Sequence, residues 1–129
     1  MSRWVVDASS AVAYLLGEAS SAEQEAMLGD VHAPTLIDVE VTHTLRGLVR
    51  AAKIDVATAE VGRAELTELN VRRYVDAPLL RRAWELRDVC TTYDGLYVAL
   101  AEALDAALVT RDARLARAVD GLVDAIACE

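Results

Sequence analysis

Apolar residues change their spacing along this chain in a repeating rhythm. Short continuous runs rich in Val, Leu and Ala predict strands, and apolar residues recurring every three to four positions predict helices. A strand over Arg3–Val6 (RWVV) leads into helices over Ser10–Leu16 and Ser21–Leu28. An extended piece at Val31–Ala33 precedes helices over Leu36–Ala52 and Val56–Leu69, then a strand at Val71–Val75. Helices over Leu79–Val89 and Asp94–Leu104 follow, then a strand at Ala107–Thr110, a helix at Ala113–Val119 and a closing strand at Leu122–Ile126. The two prolines, Pro34 and Pro78, each follow a β-like run and precede a helical pattern, where a proline suits the first turn.

Strands alternating with helices at this spacing predict βαβ units and a parallel sheet covered on both faces. With four to five short strands in 129 residues, the expectation is one three-layer α/β domain spanning residues 1–129. Ligands of such sheets bind beyond the carboxyl ends of the strands. That rule converts a list of acids into a geometric test.

Asp94 and Asp112 bracket an almost wholly apolar stretch and lie 18 residues apart. From Asp94 to Leu104 a helix travels about 15 Å. After the reversal at Asp105–Ala106, the strand climbs back about 16 Å from Ala107 to Asp112. The two lengths match, so both acids belong at the carboxyl edge of the sheet. Asp7 directly follows the first strand, and Glu40 sits about one turn into the helix after Val31–Ala33. Four acids from distant segments are thereby expected on one rim.

Each acid taken singly has a structural use. Asp7 and Asp112 suit strand ends or helix caps, Asp94 suits a first helical turn, and Glu40 suits a solvated helix face. Asp38 completes an apparent capping box, Thr35-Leu36-Ile37-Asp38, which leaves Glu40 as the acid without a local role. Carboxylates gathered together raise one another's pKa, which protonation or a hard divalent cation relieves. Oxygen donors without Cys or His favour Mg²⁺ or Mn²⁺, and the chemistry such ions support on phosphodiesters is hydrolysis.

Composition narrows the setting. Apolar residues make up 54% of the chain, enough for a packed core. Met1–Ser10 is too poor in apolar residues for a secretory signal, and no uncharged apolar run reaches the roughly 18 residues of a membrane span. Cys90 and Cys128 form neither a CxxC nor a zinc pattern, so the expected setting is the reducing cytoplasm, with no membrane partner. The net charge of −8, from 21 acids against 13 bases, opposes non-specific nucleic-acid binding unless cations neutralise part of it. Arg46, Arg50 and Lys53 stand at helical spacing and form a candidate contact strip for RNA or an acidic partner. Arg72, Arg73, Arg81, Arg82 and Arg111 read as surface charges, and Trp4 and Trp84 as packing residues.

Three stretches, "VVDASSAVAYLL", "APTLIDVEVTHTL" and "TTYDGLYVALAEALDAALVTRDARLARA", together resemble PIN domains, in particular the VapC toxins of type II toxin–antitoxin pairs. The resemblance covers essentially the whole chain, and its last stretch is the most specific. It implies a three-layer α/β/α PIN-like domain with a central parallel sheet, acting as an Mg²⁺- or Mn²⁺-dependent endoribonuclease; attack by metal-activated water is expected to leave a 5′-phosphate and a 3′-hydroxyl. It also implies a VapB-type antitoxin that covers the site, a homodimer, and contact with DNA only through the antitoxin complex. The family's four acids fall on Asp7, Glu40, Asp94 and Asp112 as catalytic metal ligands, with Ser9 and Thr110 as supporting polar groups. His43 stands where relatives often carry Asn. The competing reading is a catalytically weak PIN-like or phospho-receiver-like binding module. Receivers need a second acid beside the first, and Ala8 follows Asp7.

Overall fold

Val5, Val6, Leu108 and Val109 have no exposed surface, as expected of strands covered on both faces. In the computed structural model, which describes residues 2–129, these residues form the centre of a five-stranded sheet. Its strands are β1 (Arg3–Val6), β2 (Asp30–Pro34), β3 (Arg72–Tyr74), β4 (Ala107–Thr110) and β5 (Ala125–Ala127), and every pairing is parallel. The spatial order is β3-β2-β1-β4-β5.

That order reverses once. The chain steps from β1 to β2 to β3 through α1 (Ala8–Leu15), α2 (Ser21–Leu28), α3 (Leu36–Arg50) and α4 (Val56–Glu68). It then returns past β1 to reach β4 and β5, through α5 (Leu80–Glu85), α6 (Thr92–Leu104) and α7 (Ala113–Ala118). Parallel crossovers are right-handed, so opposite directions of travel put the two helix groups on opposite faces. Accordingly α1, α3 and α4 pack on one another, and α5 packs on α6. The reversal lies between β1 and β4, where the diverging connections leave a crevice at the strands' carboxyl ends.

α6 is the central helix of its layer, buried from Gly95 through Ala101. Thr91 caps it by accepting a bond from the Asp94 amide, and Asp105 ends it in a left-handed conformation with φ of 51°. Gly95 lets α5 approach closely: a Cβ there stands 3.1 Å from both Cα and Cβ of Ala83. This crossing fixes the start of α6, one residue from Asp94.

The three-layer expectation and the element order hold, with differences that have physical causes. The expected helix over Leu79–Val89 is shorter: it is entered through a 3₁₀ turn at Ala77–Leu79, runs as α5 to Glu85, and gives way to turns that lead to the extended cap residue Thr91. The closing strand sits at Ala125–Ala127 rather than Leu122–Ile126, since pairing with β4 sets its register and Gly121, at φ of 88°, turns the segment before it. Thr35 makes no capping bond; Asp76 accepts from the Leu36 amide, and Asp38 instead takes a two-pronged bond from Arg73. Nor are the arginines all free surface charges. Arg73 pairs with Asp38, Arg82 with Glu102, and Arg111 with the wholly buried Glu23. Trp84 is 66% exposed, with the Arg87 guanidinium lying over its ring.

Candidate active site

β1 ends at Val6, and the next residue turns directly into α1. Asp7 is therefore the helix's N-cap, and its Oδ1 accepts from the Ser10 amide at 3.1 Å and the Ser9 hydroxyl at 2.6 Å. The neighbouring strand supplies the third donor. Val6 is in register with Val109, so Thr110 stands beside Asp7 and its hydroxyl donates to Oδ2. Asp7 is only 7% exposed. Burial pushes its pKa above the usual carboxylate value; the bonds from Ser9, Thr110 and Ser10 oppose that, and the charge of Asp94 adds to it.

Asp94 occupies the first turn of α6. Its pKa is also raised, by burial first and then, against a bond from Thr91, by the charge of Asp112. Asp112 follows β4 by two residues and caps α7, accepting from the amides of Arg114 at 3.0 Å and Leu115 at 3.1 Å. Its own amide donates to the Thr110 hydroxyl at 3.0 Å. Thr110 and Ser9 thus tie β1 to β4, and the Arg111 amide completes the bridge by donating to Ser9 Oγ at 3.1 Å.

Glu40 comes from the other side of the crevice, on α3. The hydroxyl of Tyr97, on α6, donates to its Oε1 at 2.7 Å. Tyr97 is almost wholly buried, and burial together with the bond to Glu40 raises its phenol pKa far above normal. The phenol therefore stays a donor. Sequence reasoning missed this residue, because "GLYVALA" reads as a uniform core stripe. The available signal was its place three residues after Asp94, one turn further along the same face.

All four acids line one pocket of about 590 Å³ at the reversal point. Ser9, His43 and Thr44 also face it, and among the described residues no Lys or Arg does. None of the four carboxylates has a salt-bridge partner among the described residues. The acids converge on a shared space rather than on a point: among the described residues, no three His, Cys, Asp or Glu side chains are already closed around a metal position. The donor chemistry nonetheless fits a hard divalent cation, consisting of carboxylate oxygens without thiolates and of two acids whose pKa is already raised.

The candidate basic strip lies elsewhere. Arg46 and Arg50 flank a separate groove of about 330 Å³ between α3 and α4. α3 ends at Arg50, and Ala52 turns the chain with φ of 55°, so Lys53 faces a different hollow beside Ile54 and Asp55.

The family model described as PIN domain matches residues 4–121. The chain belongs to the PIN-domain family. Within that family it is 42% identical over 122 residues to Ribonuclease VapC1 of Mycobacterium tuberculosis, covering 92% of each chain. It is 41% identical over 111 residues to Ribonuclease VapC9 of the same organism, covering 86% of this chain and 87% of the relative. The VapC-type resemblance read from the three sequence stretches is therefore borne out, and the phospho-receiver alternative is set aside. The fold has a solved counterpart in PAE2754 from Pyrobaculum aerophilum, with a TM-score of 0.67 at 24% identity over 95% of this chain and 83% of that one. Among the described residues of this PIN domain, no helix is long and apolar enough to cross a membrane.

Proposed function

We propose that this PIN domain is a VapC-type toxin, an endoribonuclease that hydrolyses RNA phosphodiesters with Mg²⁺ or Mn²⁺ and is held in check by a VapB-type antitoxin. The relatives named ribonucleases support the reaction class. The observation that carries the site assignment is a single one: four acids from four separate elements line one pocket that, among the described residues, no lysine or arginine enters.

Asp7 and Asp94 would be the principal ligands of such an ion, with Glu40 and Asp112 beside them in the same pocket. A divalent ion held there would supply Lewis acidity for phosphodiester hydrolysis. The protein's own part is orientation. Asp7 is held by three donors before any ion arrives, so little rotamer freedom is left to lose on binding. Glu40 is held by Tyr97 across the α3–α6 gap. Without a cation the pocket is negatively charged and repels phosphate; with cations, an acidic chain of net charge −8 can accept RNA. Arg46 and Arg50 offer positive charge on the α3–α4 groove, to RNA or to the acidic portion of an antitoxin. We further propose a homodimer working in the cytoplasm and reaching DNA only through its antitoxin.

The test uses purified protein freed of any partner and a structured RNA. Cleavage is expected with Mn²⁺ or Mg²⁺, leaving 5′-phosphate ends, and is expected to stop on chelation. Asp94→Asn preserves shape while removing charge and is expected to abolish cutting; wild-type rates from that variant refute the site assignment.

A further inference from the structure

The acid pocket has a second character that the metal site leaves unused. A stripe of α3 presents Leu36 and Val39 to it, and α6 adds Tyr93, the residue before Asp94. Tyr93 is 61% exposed and Val39 67% exposed. Large apolar side chains at such exposure lie uncovered by the rest of the fold, and among the described residues Tyr93 makes no aromatic or cation–π pair. His43 and Thr44, one turn beyond Glu40, line the same space with groups able to donate and accept hydrogen bonds.

We propose that Tyr93 and Val39 form a subsite for one unpaired nucleobase next to the scissile phosphate, with Tyr93 as the stacking platform. This rests on the ribonuclease reading of the same pocket. A phosphate drawn to Asp7 and Asp94 carries a sugar and a base that must lie within one nucleotide of it, and the exposed aromatic face next to Asp94 is what that base meets. Single-stranded RNA is bound by stacking bases on aromatic side chains and hydrogen-bonding their edges. The pocket, about 590 Å³, is within the range of sites that enclose a small ligand. His43 and Thr44 are placed to read the base edge, so the subsite gives the enzyme a base preference that the carboxylates cannot supply.

The experiment uses a single-stranded oligoribonucleotide that the wild type cuts at one bond, with Mn²⁺ present throughout. Copies carry an abasic residue on the 5′ or the 3′ side of that bond. One of the two abasic positions is expected to lower wild-type kcat/KM by about tenfold to a hundredfold, the scale of one lost base–aromatic stack. Tyr93→Ala is expected to lower kcat/KM on the intact strand by the same factor and to be insensitive to that abasic position. Tyr93→Phe keeps the ring and is expected to retain the abasic penalty that Tyr93→Ala loses, and thermal unfolding of all three proteins checks that they fold alike. If the wild type cuts no RNA, the ribonuclease reading itself has failed. If the wild type cuts but Tyr93→Ala retains full kcat/KM, or shows an undiminished abasic penalty, the base subsite is refuted while the ribonuclease stands. Loss of antitoxin inhibition in Tyr93→Ala with RNA cleavage unchanged refutes it equally, assigning the patch to a protein partner.

Discussion

Neutralising Glu23 tests how the rim of the site is anchored. Its carboxylate has no exposed surface and serves three donors. Oε1 accepts from the Ser20 amide at 2.8 Å, closing the capping box of α2, and the Arg111 guanidinium reaches both oxygens, at 2.8 and 2.9 Å. Burial alone raises the pKa of Glu23, but the bonds from Arg111 and then the Ser20 amide outweigh it and bring it from 4.5 to about 2. At about 1.4 kcal/mol per pH unit, that depression corresponds to about 3 kcal/mol. Arg111 keeps 27% of its side chain exposed, so solvent screens part of the pairing. We therefore expect Glu23→Gln to cost about 2 to 3 kcal/mol at neutral pH, near the lower bound for breaking a buried pair. The folded-state pKa lies below the unfolded one, so this contribution is complete above about pH 4.5 and is lost as pH falls toward 2. Urea unfolding of wild type and variant at fixed protein concentration, from pH 2 to 7, is the assay. The two stability curves should be apart at neutral pH and draw together in acid. A neutral-pH gap under about 0.5 kcal/mol, or one that does not change with pH, refutes the reasoning.

Three further outcomes follow from the site and its supports. Tyr97→Phe removes the donor that holds Glu40 and is expected to weaken Mn²⁺ binding about tenfold by calorimetry, with secondary structure unchanged. Asp7→Asn removes a charge whose pKa burial has raised, so it should abolish RNA cleavage while raising the melting temperature of the metal-free protein. Because the folded form holds that proton more tightly than the unfolded one, metal-free wild type should lose stability as pH climbs from 3.8 through the raised value, and Asp7→Asn should lack that step. Gly95→Ala places a Cβ against the Ala83 backbone and is expected to cost about 1 to 3 kcal/mol in thermal unfolding.

The parts of this molecule legible in its sequence are those decided by local periodicity and chain length. The match between the run of α6 and the climb of β4 needed only two rise-per-residue values, and it put Asp94 and Asp112 at one edge. Asp7 and Glu40 followed from the rule for parallel sheets, and all four acids do line one pocket. What stayed illegible depended on partners far along the chain. Arg73 and Asp38 are 35 residues apart, Arg82 and Glu102 are 20, and Arg111 and Glu23 are 88. Nothing in a local window distinguishes those arginines from solvated ones, so all three read as surface charge. The supposed capping box at Thr35 failed for the same reason, since Asp38 was claimed by Arg73 and the open amide by Asp76.

The placement of positive charge carries the functional argument one step further. Arg111 lies between Thr110 and Asp112, within reach by sequence of the acidic pocket. Its side chain turns away to Glu23, and only its backbone amide serves the site, through Ser9. Arg73 and Arg82 likewise go to Asp38 and Glu102, acids outside the pocket. The fold thus pairs Asp38, Glu102 and Glu23 with arginines and, among the described residues, leaves Asp7, Glu40, Asp94 and Asp112 without a salt-bridge partner. Two of those four carry raised pKa values, so the arrangement costs the metal-free protein stability. A fold selected for stability alone gains from moving an arginine into the pocket, as it has done for Glu23. An uncompensated acid cluster at the reversal point of a parallel sheet is accounted for when the missing charge arrives from solution, which is the role our proposal gives to the divalent ion.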